Sequence, residues 1–198
     1  MKNFKQARNQ GGFSLIELLL VLAIIAALAV AAFIVYPRVQ AGRNATYESQ
    51  VLSSAQAGVK ALFTTNNYAK LSTASAINAE IFPTNMNVSA TAIENQWAGA
   101  VVVGYADPDT GTITQGSSTT TSVERYFGIS YADVPTDVCI RLAGSAVNNF
   151  GAVYVGTGGT NVMVQNLYAA TPAPVDESLI AANCKGTGGK ADIVFISN

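Results

Sequence analysis

Side chains that could take part in chemistry are few and widely separated in this 198-residue chain. Histidine is absent, which removes the commonest general base and metal ligand. No paired-carboxylate or Ser–Lys motif is discernible. The remaining candidates are a lone carboxylate in an apolar run, two cysteines and two short loops: Glu17, Cys139, Cys184, 107–111 and 186–190. We therefore predict a protein that is not an enzyme and that has no catalytic residue, metal site or cofactor.

The two loops resemble ligand-binding motifs only in part. Residues 186–190, Gly-Thr-Gly-Gly-Lys, look like the end of a phosphate-binding loop, but Cys184 stands in place of its first glycine and Ala191 in place of its Ser or Thr. Residues 107–111, Asp-Pro-Asp-Thr-Gly, hint at a calcium loop that lacks the later glutamate. We interpret the first as a glycine-rich turn and the second as the turn of a β-hairpin.

Glu17 is the only charged residue of the apolar run at 13–36. A helix over this run would be about 36 Å long, which exceeds the ~30 Å hydrocarbon core of a bilayer. We therefore predict one membrane-spanning helix at 13–36. Residues 1–12 contain two lysines, one arginine and no acid. This basic flank should remain in the cytoplasm, with the rest of the chain on the other side of the membrane.

The segment that precedes the apolar run distinguishes it from an ordinary secretory signal, which has a shorter apolar region followed by small residues. Here the small residues come first, and the block Gly12-Phe13-Ser14-Leu15-Ile16-Glu17 resembles the class III signal of type IV prepilins. The resemblance implies that a membrane peptidase cuts between Gly12 and Phe13 and then methylates the new N-terminus. Residues 1–12 would then be a cleaved leader, and Glu17 would be the fifth residue of the mature chain.

Glu17 admits two interpretations. A carboxylate near the end of a span can reach the headgroups, whereas one at the centre costs about 2.5–3.5 kcal/mol and needs a partner. The prepilin resemblance favours a role in assembly, in which Glu17 of one subunit neutralises the amine of Phe13 in its neighbour.

Cys139 and Cys184 would both face the oxidising space beyond the membrane, where an even number of cysteines favours a disulfide. A metal site would lack histidine partners, and a thioredoxin-like centre needs Cys-x-x-Cys. The residues at 133–139, 184–186 and 97–99 look like those of type IVb pilins. A C-terminal disulfide loop is also a feature of type IV pilins.

The hydrophobic pattern predicts an α+β fold in which a long helix packs on an antiparallel sheet. Apolar residues at helical spacing continue past Pro37, so one helix should extend to about residue 64. A globular head should occupy 65–198, with an irregular connection at 66–96 that holds helical turns at 74–80 and 90–94. The later predicted elements are strands at 100–105, 112–114, 125–131, 151–155, 161–165 and 191–196, a mobile loop at 116–122, and helices at 135–143 and 174–183.

These observations lead to a functional hypothesis. We predict a major structural subunit of a type IV, IVb-like pilus, held in the inner membrane with its head in the periplasm and then assembled into an extracellular helical filament. Its partners would be copies of itself, the prepilin peptidase and methylase, and the pilus assembly machinery. Without the three basic leader residues the net charge of −1 becomes −4, which argues against specific nucleic-acid binding. The alternatives are a minor pilin or type II secretion pseudopilin, and a monomeric membrane-anchored binding protein or adhesin.

Overall fold

A computed structural model describes residues 14–117, 119 and 122–198 of the chain. The chain divides into two compact units, Met1–Gln40 and Ala41–Asn198. The predicted leader, the predicted cleavage site and part of the predicted loop at 116–122 lie outside the described residues.

One long helix, α1, extends from Leu15 to Leu62 and contributes to both units. It continues through Pro37 even though proline lacks the N–H that a helix interior uses. The first unit contains the apolar part of α1. The second unit contains the amphipathic part and all the other elements.

Within the described residues of the second unit, three further helices and seven strands follow α1. The helices are α2 (Thr73–Asn78), α3 (Thr136–Ala146) and α4 (Glu177–Asn183), and a single 3-10 turn lies at Thr84–Met86. The strands are β1 (Ile93–Glu94), β2 (Ala100–Asp107), β3 (Thr112–Thr114), β4 (Phe127–Pro135), β5 (Ala152–Thr157), β6 (Thr160–Asn166) and β7 (Lys190–Ser197).

The seven strands form one sheet in the order β1-β2-β4-β7-β5-β6, with β3 paired to β2. Every pair of neighbouring strands is antiparallel. The C-terminal strand β7 lies near the middle, between β4 and β5, so the last residues of the chain join the two halves of the sheet. The predicted α+β fold class, with its long helix and antiparallel sheet, is confirmed.

The main core lies between one face of this sheet and the second half of α1. Helical positions spaced by three and four residues are buried there, as the sequence pattern predicted. They meet alternate residues of the central strands, which include Phe127, Ile129 and Tyr131 of β4. Full burial of a side chain such as Leu52 contributes about 1.5–3 kcal/mol, so this packing supplies much of the stability of the head.

A smaller core covers the opposite face of the sheet. Its buried members are Ala106, Ala152, Tyr154, Val194 and Ile196. The turn between β2 and β3 folds over them, since both the Tyr154 hydroxyl and the Asn166 side-chain amide donate hydrogen bonds to the Pro108 carbonyl. The predicted hairpin at 107–111 is therefore present, and it closes over the second face of the sheet.

Some of the predicted local elements are wrong in type or extent. The helical turn predicted at 90–94 is instead strand β1, because Ile93 is buried and pairs with Val101. The helix predicted at 174–183 begins only at Glu177, because the Asp176 carboxylate accepts hydrogen bonds from the N–H groups that open it. The strand predicted at 125–131 is β4, which begins later, at Phe127, and continues to Pro135.

Candidate functional site: the apolar helix and its acidic residue

Glu17 lies in the first turn of α1. The Ser14 carbonyl accepts hydrogen bonds from the N–H groups of Glu17 and Leu18, at 3.0 and 3.1 Å, and these bonds begin the helix. A carboxylate in the first turn interacts favourably with the positive end of the helix dipole. Gly12 and Phe13, the predicted cleavage site, lie outside the described residues.

The helix surface around Glu17 is apolar and exposed. Its most apolar 18-residue window has a mean hydropathy of 3.3, and none of that window is buried. In the described part of the chain, α1 is the one helix long and apolar enough to cross a membrane. An exposed apolar surface of this extent is unusual in a soluble monomer and requires a lipid or protein environment.

The two cysteines form a disulfide, Cys139–Cys184, with their Cα atoms 5.6 Å apart. Cys139 lies in α3 and Cys184 follows α4, so the bond joins these two helices, and both residues are fully buried. The predicted C-terminal disulfide loop is confirmed. The bond is part of the main core.

The two loops that resemble ligand-binding motifs are turns. At 186–190 the chain leads into strand β7 and not into a helix. Three of its glycines have positive φ, and the Gly189 carbonyl accepts hydrogen bonds from the Thr136 N–H and hydroxyl. At 107–111 an Asp107 carboxylate oxygen accepts the Asp109 N–H at 2.9 Å. Among the described residues no group of three or more Cys, Asp or Glu side chains could hold a metal ion.

One buried carboxylate, Glu48 of α1, was not predicted from the sequence. It is fully buried, and one of its oxygens accepts the Gln96 N–H at 3.4 Å. Burial raises the pKa of Glu48, and the Gln96 N–H and the nearby Tyr131 hydroxyl oppose this rise only in part. Burial, and secondarily the charge of Glu48, raise the pKa of Tyr131 well above its ordinary value. The sequence did contain a signal, because Glu48 lies four residues before the buried Leu52 on the apolar stripe.

Comparisons with known proteins identify the family. Residues 42–198 match the family described as PilS N terminal, and residues 7–33 match the prokaryotic N-terminal methylation motif. The chain belongs to the PilS family of type IV pilins. None of the curated proteins matches this pilin. Similar solved structures are the type IVb pilin of Salmonella typhi and TcpA, a type IV pilin of Vibrio cholerae El Tor biotype.

The likeness of this pilin to those structures is one of fold. The Salmonella typhi pilin has a TM-score of 0.53 and 20% identity, over 77% of this chain and 99% of the other. TcpA has a TM-score of 0.53 and 14% identity, over 79% of this chain and 99% of the other. The predicted resemblance to type IVb pilins is thereby confirmed. Proteins of this family and fold are structural subunits, and the apolar helix of this one is suited to membrane anchoring and to assembly.

Proposed function

We propose that this type IV pilin is the major subunit of a IVb-like pilus. The precursor would be stored in the inner membrane by residues 13–36, with the head at 65–198 in the periplasm. After the leader at 1–12 is removed between Gly12 and Phe13 and the new N-terminus is methylated, the subunit would polymerise into an extracellular filament.

The observation that carries the proposal is the exposed apolar surface of α1 before residue 37. Its exposed large side chains include Leu15, Ile16, Phe33 and Ile34. Transfer of apolar surface out of water contributes about 25 cal/mol per Å², so a helix of this length is retained strongly by a bilayer. Lipid and a bundle of identical helices are both apolar environments. The same surface can therefore serve for storage in the membrane and for packing in a filament.

Glu17 supports a filament over a simple anchor. Cleavage before Phe13 would create an ammonium group four residues before this carboxylate. In a filament core both charges would leave water, and an isolated buried charge costs several kcal/mol unless it is paired. A pair formed by Glu17 of one subunit and Phe13 of the next would remove that cost and fix the axial register of the filament.

Two alternatives predict different behaviour. A minor pilin or a type II secretion pseudopilin would share the processing and the helix but would be scarce relative to another subunit. A monomeric anchored binding protein would have no use for a charge pair between subunits. In that case, loss of the Glu17 charge would be neutral or mildly favourable for the helix in the bilayer.

The experiment compares wild type with Glu17→Ala in cells that make the filament. We expect Glu17→Ala to be processed normally, with an intact mass that begins at methylated Phe13. The variant should then accumulate in the membrane while the sheared surface fraction loses the protein, because each added subunit would bury an unpaired ammonium. Glu17→Asp, which keeps the charge, should retain part of the assembly.

Glu177→Ala is the matched control, because Glu177 is also an exposed glutamate in the first turn of a helix, α4. It should leave the filaments unchanged. Normal filaments with Glu17→Ala would disprove the pairing role. A wild-type protein that never enters a surface filament would favour the anchored binding protein.

A further inference from the structure

A polar groove lies on the head between α1 and α3. Its volume is about 250 Å³, and all of its lining residues belong to the second unit. Five of them lie on α1, and two, Arg141 and Ser145, lie on α3. No carboxylate is among the described residues that line the groove, so the Arg141 guanidinium is its single charge.

Arg141 lies against α1 but keeps its charge unpaired. A Cβ at Gly42 would lie 3.9 Å from Nη1 of Arg141, which places the guanidinium beside this turn of α1. Among the described residues Arg141 makes no hydrogen bond and no ion pair, although Asp137 lies one helical turn before it on α3. Because Arg141 is also exposed, its five N–H groups can bind an anion from outside the chain.

Two side chains of α1 add neutral donors to the groove. The Ser49 hydroxyl accepts a hydrogen bond from the Ser145 hydroxyl at 3.3 Å and keeps its own proton free to donate. The Gln50 amide is exposed and makes no hydrogen bond with any other described residue. A guanidinium flanked by O–H and N–H donors, with no carboxylate beside them, suits the oxygens of a phosphate group.

The groove begins close to the end of the predicted membrane span. Gly42 is six residues beyond Tyr36, the last residue of that span, and six residues of α1 rise by about 9 Å. The headgroup layer on each side of a bilayer is about 5–8 Å thick. Arginine side chains are long enough to extend toward that layer. Lipid phosphates are therefore the nearest abundant anions to Arg141 when the span lies in a membrane.

The charges that follow the span on α1 are positive. Between Glu17 and Glu48 the chain contains two charged residues, Arg38 and Arg43, and Glu48 itself is fully buried. Lys and Arg are usually in excess on the cytoplasmic side of a span, so two arginines directly after it on the other side oppose that bias. A favourable contact between these arginines and anionic headgroups would explain their position.

We propose that Arg141 and Arg43 dock the head of the stored subunit on anionic phospholipids of the membrane. The inference rests on the proposed storage of the precursor in the membrane by residues 13–36. The Arg141 fork donates to a lipid phosphate, and Ser49 and Gln50 can donate to its remaining oxygens. Because the predicted mature chain is acidic overall, the rest of the head is repelled by an anionic surface, so this contact also orients the head.

The test follows the fluorescence of Trp97, the single tryptophan, with the full chain inserted in nanodiscs. Trp97 lies near this end of the head, because the N–H of the preceding residue, Gln96, contacts Glu48, which is six residues beyond Gly42 on α1. A lipid with a nitroxide on its headgroup quenches a tryptophan that comes close to the membrane surface. We expect more quenching when the phosphatidylcholine nanodiscs contain phosphatidylglycerol, and loss of this difference at high salt.

Substitutions assign the effect to the arginines. Arg141→Gln should lower the ratio of docked to free heads about fivefold in anionic nanodiscs, and Arg43→Gln should act similarly. Arg141→Lys keeps the charge and should retain most of the docking. Arg125→Gln is the matched control, because Arg125 is an exposed arginine that shares a groove with Lys60, about 27 Å along α1 from Gly42. It should not change the quenching.

The outcomes separate this inference from the proposed function. Co-migration of the chain with the nanodiscs measures membrane insertion independently. A chain that enters the nanodiscs without quenching that depends on phosphatidylglycerol would disprove the docking and leave the proposed storage intact, whereas a chain that does not enter them would disprove both. Unchanged quenching in Arg141→Gln would also overturn the inference. If that variant docked normally but no longer formed filaments, Arg141 would belong to a contact between subunits instead.

Discussion

The disulfide Cys139–Cys184 should contribute a large part of the stability of the head. The two cysteines are 45 residues apart, and the loop they close contains β5, β6 and α4. Loop-closure entropy for that separation gives a stabilisation of about 4 kcal/mol. Domains have total stabilities of about 5–15 kcal/mol. Replacement of both cysteines by alanine should therefore remove between a quarter and most of the stability.

Thermal unfolding of the full chain in detergent measures this loss. Trp97 is the single tryptophan of the chain and packs against the main core, so its fluorescence reports on the head alone. A loss of 4 kcal/mol should lower the melting temperature of a head of this size by about 8–16 °C. Addition of a strong reductant to the wild type should give a similar decrease, while the double variant should not respond to reductant.

A loss of less than about 1 kcal/mol in the double variant would refute this reasoning, because it would mean that the unfolded chain gains little freedom when the loop opens. A different interpretation would apply if the melting temperature of the wild type did not change with reductant while the double variant was strongly destabilised. The loss would then come from the packing of two fully buried side chains and not from the covalent bond.

Two further predictions concern the head. Burial raises the pKa of Glu48 in the folded state above its ordinary value of 4.5. Protonation of Glu48 therefore favours the folded state below about pH 4.5, and this contribution to stability is lost as the pH rises through the folded-state pKa. The raised pKa of Tyr131 keeps its hydroxyl neutral in this range, so Glu48→Gln should flatten the decrease of the urea midpoint with pH. Parallel curves for the variant and the wild type would contradict the assignment. Gly111→Ala should cost about 1–3 kcal/mol more than the control Gly158→Ala, because both glycines have positive φ but a Cβ at Gly111 would lie 2.7 Å from the Tyr154 ring, whereas nothing lies near Gly158. Equal urea midpoints for the two variants would show that the turn at 107–111 moves away from the Tyr154 ring without loss of stability.

Much of the fold could be predicted from the sequence because it depends on local patterns of residues. The apolar run around Glu17 and the three- and four-residue spacing after it predict a long helix with two different surfaces, since helical periodicity is a property of neighbouring residues. The apolar stretch at 100–105, the turn at 107–111 and the stretch at 112–114 predicted the β2–β3 hairpin for the same reason. The single possible pairing of two cysteines left no ambiguity about the disulfide.

Long-range contacts decided the features that the sequence did not show. The segment at 90–94 has residues that suit a helical turn, yet burial of Ile93 and pairing with Val101 make it a strand. The Asn95 side-chain oxygen stabilises the turn between β1 and β2, because it accepts hydrogen bonds from the N–H groups of Trp97 and Gly99, each at 2.9 Å. These partners outweigh the local preference, which is worth less than 1 kcal/mol per residue.

The sequence by itself determined the candidate assembly site, because Glu17 and the apolar residues around it are contiguous in the chain. Only the tertiary structure placed Glu48 against Tyr131, residues that are 83 positions apart. That contact depends on the sheet order, in which β4 lies in the interior between β2 and β7. Strand order is set by the burial of whole faces against α1 and against the smaller core, and no local pattern encodes it.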